Sequence, residues 1–445
     1  MTGSGAPTRV IVVGGGFAGV GAARELAKDD DVEVSLIDRN NYHQFQPLLY
    51  QVATSMLAAT DIAYPLRKVA RKHGNFDVKL GDVVAIDPAS KTVTTADGQT
   101  YQGDYLVLAA GSQPNFFHTP GADEHAFPLY SVSDAQRLRS RILTLFEEAD
   151  RDRTLIDQGA LDFVIVGGGP TGVETAGALA EMINTTIAAE YHDLPSDAAK
   201  VHLVDHGHAL LKMFADKTHD YTAKVLTKDG VNLRFGTGVT EIGAGHVALS
   251  DGTSMRTRCV IWGGGLQAAP IAATSGLTQG RGGRIDVERD LTVKGMPGVY
   301  VAGDIANIPG KDGKPFPQLG SVALQSGEWA GKNIRADIAG KPRKPFRYLD
   351  KGTMAMIGRG AAVAQVKGIE LHGKLAFTAW LGVHAMLMSG GQNRVNAFVA
   401  WAGDYFGKTR GPQVLDRGDS ARIDWGEDPD EAEVVGAGTT RTGGT

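Results

Sequence analysis

A β-branched strand followed by a glycine-rich turn and an alanine-rich helix occurs twice in this chain, and no other feature restricts its fold as strongly. The glycines of the two turns are Gly14, Gly16 and Gly19, and Gly167, Gly169 and Gly172. With 59 glycines in 445 residues, chance alone supplies roughly one such triplet, so the spacing has little weight by itself. The flanking strand and helix give it weight, because that order places a helix amino terminus where unpaired N–H groups bind a pyrophosphate.

The first unit carries an acidic residue where a nucleotide-binding fold needs one. Its strand, predicted over residues 10–13, is followed after the helix by a strand over residues 32–37 that ends at Asp38. That spacing is expected for a carboxylate that accepts hydrogen bonds from a ribose hydroxyl. We interpret the unit as a dinucleotide site; the alternative is a glycine-rich turn in a doubly wound sheet that binds nothing.

The second unit repeats this order. Its first strand is predicted over residues 163–166, and a later strand over residues 201–204 ends at Asp205. A carboxylate at this place suits the free 2′-hydroxyl of NADH and repels the 2′-phosphate of NADPH. The second unit is therefore predicted to prefer NADH.

A third segment indicates which unit binds which nucleotide. The strand over residues 298–301 leads into Ala302-Gly303-Asp304, which resembles the second FAD motif of two-dinucleotide-fold flavoproteins. Residues 105–112, which end in Ala110-Gly111-Ser112, resemble the companion strand and turn. The resemblance implies that the first unit binds FAD, that Asp304 contacts its ribityl or pyrophosphate portion, and that the second unit binds NADH.

The whole chain resembles the type II NADH dehydrogenases, which are single-subunit NADH:quinone oxidoreductases. The resemblance extends from about residue 9 to residue 411 and is carried by residues 44–53, 167–174, 260–265, 302–304 and 351–358. It implies hydride transfer from NADH to FAD, followed by electron transfer to a membrane quinone without proton pumping. The fold class is accordingly predicted as α/β, with two Rossmann-like dinucleotide-binding domains for FAD and NADH and a C-terminal helical membrane-association segment.

The predicted domain boundaries follow the motifs. We expect an FAD-binding domain in two parts, an inserted NADH-binding domain, a C-terminal segment with amphipathic helices, and a disordered tail. These correspond in turn to residues 1–125 with 286–345, 126–285, 346–411 and 412–445. Charged and Gly/Thr-rich composition is the reason for expecting disorder in the tail.

Two charged residues are candidates for catalysis through the resemblance. Glu174 matches a family glutamate near the nicotinamide and the flavin, and Lys351 matches a family lysine close to the quinone pocket. Each has an ordinary alternative explanation. A glutamate early in a helix also favours the helix dipole, and a lysine before a glycine is usually solvated.

The quinone signature departs from the family pattern of Ala-Gln, three residues, then Gln. This chain keeps Ala323 and Gln325 but has Gly320-Ser321 in place of the leading Ala-Gln. Ser321 and Gln325 share one helix face because they are four residues apart, so we predict that both contact the acceptor. Gln318 is a candidate substitute for the missing amide.

Further positions complete the candidate cofactor-binding set beside the glycines and acids named above. They are Phe17, Ala18, Arg39, Val84, Ala110, Gly111, Gly264 and Ala323.

Two amphipathic helices are predicted between residues 373 and 411. Phe377, Trp380, Leu381, His384 and Met388 form one stripe, and Val395, Phe398, Val399, Ala402, Tyr405 and Phe406 form the other. Trp380, Trp401 and Tyr405, with Lys374, Arg394, Lys408 and Arg410, are typical of a helix at a membrane interface. We expect a monotopic protein on the cytoplasmic side of the cell membrane; the alternative is that the stripes pack on the body or on a partner in a homodimer.

Composition excludes several classes of function. A net charge of −5 argues against a nucleic-acid partner. The single cysteine, Cys259, excludes an internal disulfide, and no cluster of residues predicts a metal site. Two alternatives stay open: a soluble NADH-dependent flavin reductase or oxidase with a non-quinone acceptor, and a non-enzymatic protein that uses flavin and NADH as a sensor.

Overall fold

The computed structural model describes residues 6–195, 197–310, 313–407 and 410–415. Within them the chain forms the expected α/β fold, in which two parallel sheets are each flanked by helices. The predicted tail lies outside the described residues from position 416 onward, and so does Lys408.

The first sheet combines strands from two distant parts of the sequence. In spatial order its strands are Thr292–Val293, Met296–Val301, Tyr105–Leu108, Thr8–Val13, Val32–Asp38 and Phe76–Leu80. All pair in parallel except the edge strand Thr292–Val293. The central strands are nearly continuous runs of buried Val, Ile and Leu because layers on both faces exclude water.

The second sheet is built from the intervening sequence and is wholly parallel. In spatial order its strands are Ala126–Pro128, Cys259–Trp262, Asp162–Val166, Lys200–Asp205 and Val231–Phe235. Both sheets therefore place the strand that precedes a glycine turn beside the strand that ends in an aspartate.

Each half also contains a separate three-stranded antiparallel meander. In both halves the meander follows the edge strand of the parallel sheet, Phe76–Leu80 in the first and Val231–Phe235 in the second. The strands are Val83–Asp87, Thr92–Thr95 and Thr100–Gln102 in the first, and Val239–Gly243, His246–Leu249 and Ser254–Arg256 in the second. Three two-stranded pairs are Tyr42–Gln44 with Ala63–Pro65, Ser112–Pro114 with Leu266–Ala268, and Ile285–Asp286 with Ala306–Asn307. The pair that contains Ser112–Pro114 connects the two halves of the molecule.

The described residues contain seven helices of ten or more residues. They are α1 (Phe17–Leu26), α2 (Val132–Arg151), α3 (Pro170–Met182), α4 (Asp216–Lys228), α5 (Gly320–Ile338), α6 (Gly373–Leu387) and α7 (Gly391–Gly407). Shorter helical turns are Gln46–Leu48, Leu49–Ala53, Ala59–Ile62, Leu66–Ala70, Ala122–His125, Thr154–Asp157, Ile183–Ile187, Ala188–Glu190, Ile271–Thr274, Arg281–Gly283 and Gly303–Ile305.

The two helices that follow the glycine turns are covered by different elements. Helix α1 lies against α5 so closely that a Cβ at Gly327 would overlap the carbonyl oxygen of Ala18. Helix α3 lies equally close to the strand Thr353–Gly358, because a Cβ at Gly177 would overlap the carbonyl oxygen of Ile357. That strand pairs with Ala361–Val366, which in turn pairs with Ile369–His372, and the three strands form the sheet of the C-terminal segment.

The structure corrects the prediction that the tryptophans of the C-terminal helices lie at a membrane interface. Trp380 on α6 is 0% exposed and Trp401 on α7 is 6% exposed, so both pack against the body. The exposed apolar residues of these helices are Leu375, Val383, Met386, Leu387, Val395, Phe398, Val399, Tyr405 and Phe406. Periodicity predicted both stripes, but the stripe on α6 faces inward, whereas most of the stripe on α7 faces outward.

Arg410 is also buried, although it was predicted to lie beside lipid headgroups. Its guanidinium donates hydrogen bonds to the carbonyl oxygens of Thr54 and Ala178 and to the carboxylate of Asp404. A buried guanidinium is stable only where carboxylates and carbonyl groups surround it. Arg410 therefore ties the end of the described chain to both nucleotide-binding halves.

Candidate functional site

One cleft of about 370 Å³ runs between the two sheets and joins both glycine motifs. Its lining includes six predicted cofactor residues and one predicted catalytic residue, which are Gly16, Phe17, Ala18, Gly111, Asp304, Ala323 and Glu174. Residues more than 100 positions apart in the sequence are thus brought to one place. The arrangement allows two bound groups to meet edge to edge.

The two predicted ribose-binding aspartates have nearly identical surroundings. The Asp38 carboxylate accepts hydrogen bonds from the backbone N–H groups of Gly15 at 2.5 Å and Asn40 at 2.6 Å. The Asp205 carboxylate accepts from Gly168 at 2.6 Å and Gly207 at 2.6 Å. Each aspartate therefore fixes the glycine turn beside it and lies at the carboxyl end of its strand, where nucleotides bind.

The helix amino termini beyond the turns are suited to a phosphate. Gly16 and Gly169 are the residues that precede α1 and α3, and no side chain caps either helix. A Cβ at Gly16 or Gly169 would have nothing within 4 Å, so both turns border open space. Uncapped N–H groups beside open space fit a pyrophosphate, which is the group that both predicted nucleotides contain.

The far side of the first motif is closed by Asp304 and its neighbours. The Asp304 carboxylate accepts a hydrogen bond from the Ser112 hydroxyl at 3.0 Å, and the Ser112 oxygen in turn accepts from the Tyr130 hydroxyl at 2.7 Å. Burial raises the pKa of Asp304 above its ordinary value, and burial also raises the pKa of Tyr130 to about 12. The amide of Gln318 donates to the backbone carbonyl of Asp304 and orders this wall.

Glu174 lies on α3 where the two motifs approach each other. Its carboxylate accepts a hydrogen bond from the backbone N–H of Met356 at 3.1 Å. Burial raises the pKa of Glu174 to about 8, and the Met356 contact only partly opposes that shift. Glu174 therefore holds a proton at neutral pH beside the cleft, as perturbed carboxyls at reaction sites often do.

His384 is the residue of the C-terminal helices that lines this cleft. Its ring stacks on Trp380 with centroids 4.0 Å apart and meets Phe45 edge-on at 6.2 Å. Burial lowers the pKa of His384 to about 4, so its imidazole is neutral at physiological pH. The cleft thus has an aromatic, uncharged wall on the side of α6.

The predicted acceptor residues lie outside the cleft lining. The Gln325 amide is bonded in both directions to the backbone of Leu349, at 3.0 and 2.9 Å. The Ser321 hydroxyl lies 2.9 Å from the hydroxyl of Tyr348. Both side chains on this face of α5 therefore hold the segment that precedes the C-terminal sheet, and Lys351 is exposed just beyond it.

Four further predicted cofactor residues, Arg39, Val84, Ala110 and Gly264, are not part of the cleft lining. Arg39 is exposed beside Asp38, and Val84 is 51% exposed on the first meander. Ala110 lies between Ala109 and Gly111, which both line the cleft, and Gly264 lies between Gly263 and Gly265, which do the same.

Sequence reasoning missed Tyr50, His384 and Met356 as members of this site. Tyr50 belongs to the family segment over residues 44–53, but nothing in that segment shows which side chain turns inward. Met356 acts through its backbone N–H, which any residue provides. Only the packing of the C-terminal sheet on α3 brings it there.

The described residues contain no group of three His, Cys, Asp or Glu side chains placed to hold a metal ion. No helix among them is long and apolar enough to cross a bilayer.

Comparison with known proteins settles the family. A family model for pyridine nucleotide-disulphide oxidoreductases matches residues 8–327. The type II NADH:quinone oxidoreductase Ndh of Mycobacterium tuberculosis H37Rv is 36% identical over 422 residues, which cover 92% of this chain and 90% of that protein. The chain belongs to the type II NADH:quinone oxidoreductase family. Its cofactors are FAD and NADH.

Other members and structures place the chain more broadly. The type II NADH:quinone oxidoreductase of Staphylococcus saprophyticus is 28% identical over 83% of this chain and 92% of that protein. The structure of NDH2 from Plasmodium falciparum in complex with NADH superimposes with a TM-score of 0.83 at 19% identity, covering 92% of this chain and 99% of that one. The sulfide:quinone oxidoreductase of Aquifex aeolicus gives 0.68 at 18% identity, covering 90% and 96%. Such distant likenesses show a shared fold alone.

The single cysteine distinguishes this type II chain from the disulphide chemistry in the family model's description. Cys259 is buried in the second sheet and has no second cysteine to pair with. Electrons therefore pass through no cysteine pair of this chain.

Proposed function

We infer that this protein oxidises NADH at a bound FAD and reduces a quinone, without pumping protons. The observation that carries the inference is the single cleft into which both glycine motifs open. A bound flavin accepts hydride from nicotinamide and later returns electrons to an acceptor. The protein's contribution is to hold the two nucleotides edge to edge and to exclude water between them.

We assign FAD to the first motif and NADH to the second. The first motif is enclosed by α5, by Asp304 and by the Ser112–Tyr130 pair, which suits a cofactor that stays bound. The second motif is bordered in the cleft by Trp262, Gly263 and Gly265, and among the described lining residues no counterpart of Asp304 closes it there. A nucleotide that must leave after each turnover needs such an opening.

Within this assignment the chain's own groups have distinct tasks. The N–H groups at the start of α1 and α3 bind the two pyrophosphates, and Asp38 and Asp205 bind the ribose hydroxyls. Glu174 keeps a proton next to the place where the two rings meet. Its elevated pKa lets it lose or gain that proton near physiological pH.

We place the quinone on the α6 side of the cleft, which Pro47, Leu319 and His384 line. These groups are apolar or uncharged, as a quinone ring requires. Ser321 and Gln325, which the sequence predicted to contact the acceptor, are hydrogen-bonded to residues 348 and 349 instead. They hold that segment of the chain in place. Truncating His384 to alanine should therefore slow flavin reoxidation by quinone more than Gln325→Ala does, while leaving reduction by NADH unchanged.

Attachment to the membrane is proposed through the outer faces of α6 and α7, on the cytoplasmic side. Met386 is 73% exposed and Phe406 is 82% exposed, and further apolar residues surround them. Contiguous apolar surface of this kind marks a site of association. Lys374 and Arg394 lie on the same helices and can reach anionic headgroups.

Replacement of Met386 and Phe406 by aspartate tests this attachment. The double variant should leave sedimented membranes but keep its flavin, because neither side chain supports the body. Replacement of Ser254, which is exposed on the second meander, by aspartate provides the control. If the wild type sediments as a stable dimer in solution and the double variant sediments as a monomer, the apolar face is a homodimer interface instead.

The decisive experiment separates the two half-reactions. Anaerobic mixing with NADH should bleach the flavin, and stopped-flow mixing of the reduced protein with ubiquinone and menaquinone analogues should restore its colour faster than oxygen or a dye does. Rapid reoxidation by oxygen alone would assign the protein as a soluble oxidase. Flavin that stays reduced in air with NADH bound would instead indicate a sensor.

A further inference from the structure

A chain of buried hydrogen bonds connects the C-terminal helices to the cleft. The indole N–H of Trp401, on α7, donates to Oε1 of Gln51 at 2.7 Å. The Gln51 side-chain nitrogen donates to the hydroxyl oxygen of Tyr50 at 3.1 Å, and that hydroxyl donates to the Met356 sulfur at 3.4 Å. Gln51 is fully buried, and the ring of Tyr50 lines the cleft.

The direction of this chain is set at its Trp401 end. An indole N–H can only donate, whereas the two ends of a glutamine amide differ in role. Because Oε1 must face Trp401, the amide nitrogen must face Tyr50 and donate to it. The hydroxyl proton of Tyr50 then has to point away from Gln51, toward Met356 and α3.

The other end of the chain reaches Glu174. The backbone N–H of Met356, the residue whose sulfur accepts from Tyr50, donates to the Glu174 carboxylate. The charged groups that act on Tyr50 are Glu174 and Glu181 on α3 and Arg410 beyond α7. The direction of the Tyr50 hydroxyl dipole therefore affects the electrostatic potential at the Glu174 carboxyl group.

We propose that Gln51 and Trp401 are positioning residues, through which the seating of α7 on the body sets the direction of the Tyr50 hydroxyl beside Glu174. The proposal rests on the proposed function, because it takes the cleft as the place where NADH meets flavin. Its consequence is that the helix with an exposed apolar face also determines the hydrogen bonding of the reaction site. Met356 sulfur is a weak acceptor, so the direction of the hydroxyl depends mainly on Gln51.

The chain offers a matched pair of substitutions. Trp401→Phe removes the indole N–H that donates a hydrogen bond to Gln51. Trp380→Phe removes a similarly buried indole N–H, on α6, that has no hydrogen-bond partner among the described residues. Trp380 also packs on Trp401, with ring centroids 5.8 Å apart, so its substitution measures the effect of lost packing, while Trp401→Phe alone removes a hydrogen bond of the chain.

The first readout needs no turnover. In ¹⁵N-tryptophan-labelled holoprotein, the two substitutions assign the indole signals of Trp401 and Trp380. In Gln51→Met the Trp401 indole proton should shift upfield and exchange faster with solvent, whereas the Trp380 signal should stay in place. An unchanged Trp401 signal would overturn the proposed contact.

The second readout is the pH profile of flavin reduction by NADH, measured in single turnover. Without Trp401 the Gln51 amide can reverse and accept from Tyr50, and in Gln51→Met no amide donates to the Tyr50 hydroxyl oxygen. In both variants the hydroxyl proton can turn away from Glu174, which stabilises the Glu174 carboxylate less. Trp401→Phe and Gln51→Met should move the midpoint to higher pH by about half a unit, and Trp380→Phe should not. The double variant Trp401→Phe/Gln51→Met should match Gln51→Met alone, because both act through one bond.

The outcomes separate this proposal from the function on which it rests. A wild-type protein whose flavin NADH does not reduce would refute the proposed function. A wild-type protein that is reduced normally, with Trp401→Phe and Trp380→Phe sharing its midpoint, would refute only the positioning role. Equal losses of thermal stability in both variants with no change of midpoint would likewise leave Trp401 as packing alone.

Discussion

The two nucleotide-binding halves share one local design but differ in what covers it. In both, the first glycine has a positive φ, the second borders open space, and the third lies so close to the first that a Cβ there would overlap a carbonyl oxygen. Helix α1 is then covered by another helix, α5, and α3 by the C-terminal sheet. Under the proposed function the motif provides a pyrophosphate site in each half, and the two halves differ in the element packed against the helix that follows it.

The largest effect is expected from filling the open space beside each turn. Gly16→Val should give folded, colourless protein, because the new side chain meets no protein atom and occupies the pyrophosphate position. Gly169→Val is the matched substitution: it should retain flavin but raise the KM for NADH by about 100-fold, or ~3 kcal/mol. Absorbance per mole of protein and stopped-flow reduction measure the two effects. Stoichiometric flavin in Gly16→Val, or its loss in Gly169→Val, would reverse the assignment of the halves.

A smaller effect is expected at the second aspartate. The wild type should use NADH at least about tenfold better than NADPH in kcat/KM, or ~1.4 kcal/mol, and Asp205→Asn should narrow that ratio by removing the charge that repels a 2′-phosphate. Steady-state kinetics with both nucleotides measure it. Asp38→Asn should alter flavin content and leave the ratio alone. Equal use of NADH and NADPH by the wild type would remove Asp205 from specificity.

Glu174, which lies on α3 and has no counterpart named in the first half, should make flavin reduction depend on pH. Its pKa of about 8 means that it is protonated below that pH, so single-turnover flavin reduction should change with a midpoint near that value. Glu174→Gln should flatten the profile and change the neutral rate by only about two- to threefold. A midpoint that persists in Glu174→Gln would belong to another group.

Stability should show the same titration. A folded-state pKa above the unfolded value means that Glu174 contributes stability at pH below the unfolded pKa and that this is lost as pH rises through about 8. The wild-type Tm should therefore fall more than that of Glu174→Gln between about pH 6 and about pH 9.

The smallest effect concerns Lys212, a cation beside the aspartate of the second half. Lys212 lies 3.5 Å from the Asp205 carboxylate, on an exposed side chain. It partly offsets the repulsion of a 2′-phosphate, so Lys212→Ala should raise the NADH preference by about twofold, since exposed pairs contribute little. Lys217→Ala, on α4, provides the control. A lower preference in Lys212→Ala would show that this lysine does not attract the phosphate.

The sequence predicted the repeated part of this architecture well and the covering elements poorly. Glycine spacing, a strand before it and an aspartate after it are local, so Asp38 and Asp205 could be placed from sequence alone. Gln325 was expected at the acceptor because it shares a helix face with Ser321, and that face proved to hold residues 348 and 349. Helical period similarly identified the stripe with Trp380 but not the side of the helix that the body would cover. Such choices depend on contacts between distant segments.

The order of strands in the first sheet has a consequence for synthesis on the ribosome. The strand Met296–Val301 lies beside Tyr105–Leu108, although the whole second sheet is made between them. Domains commonly fold as units while the chain emerges, so the inserted half can complete its sheet while the first half still lacks an inner strand and α5. Arg410 then joins both halves last. The site whose glycine motif is translated first is therefore the one that is finished last. With FAD in the first half, as proposed, flavin is captured only near the end of translation.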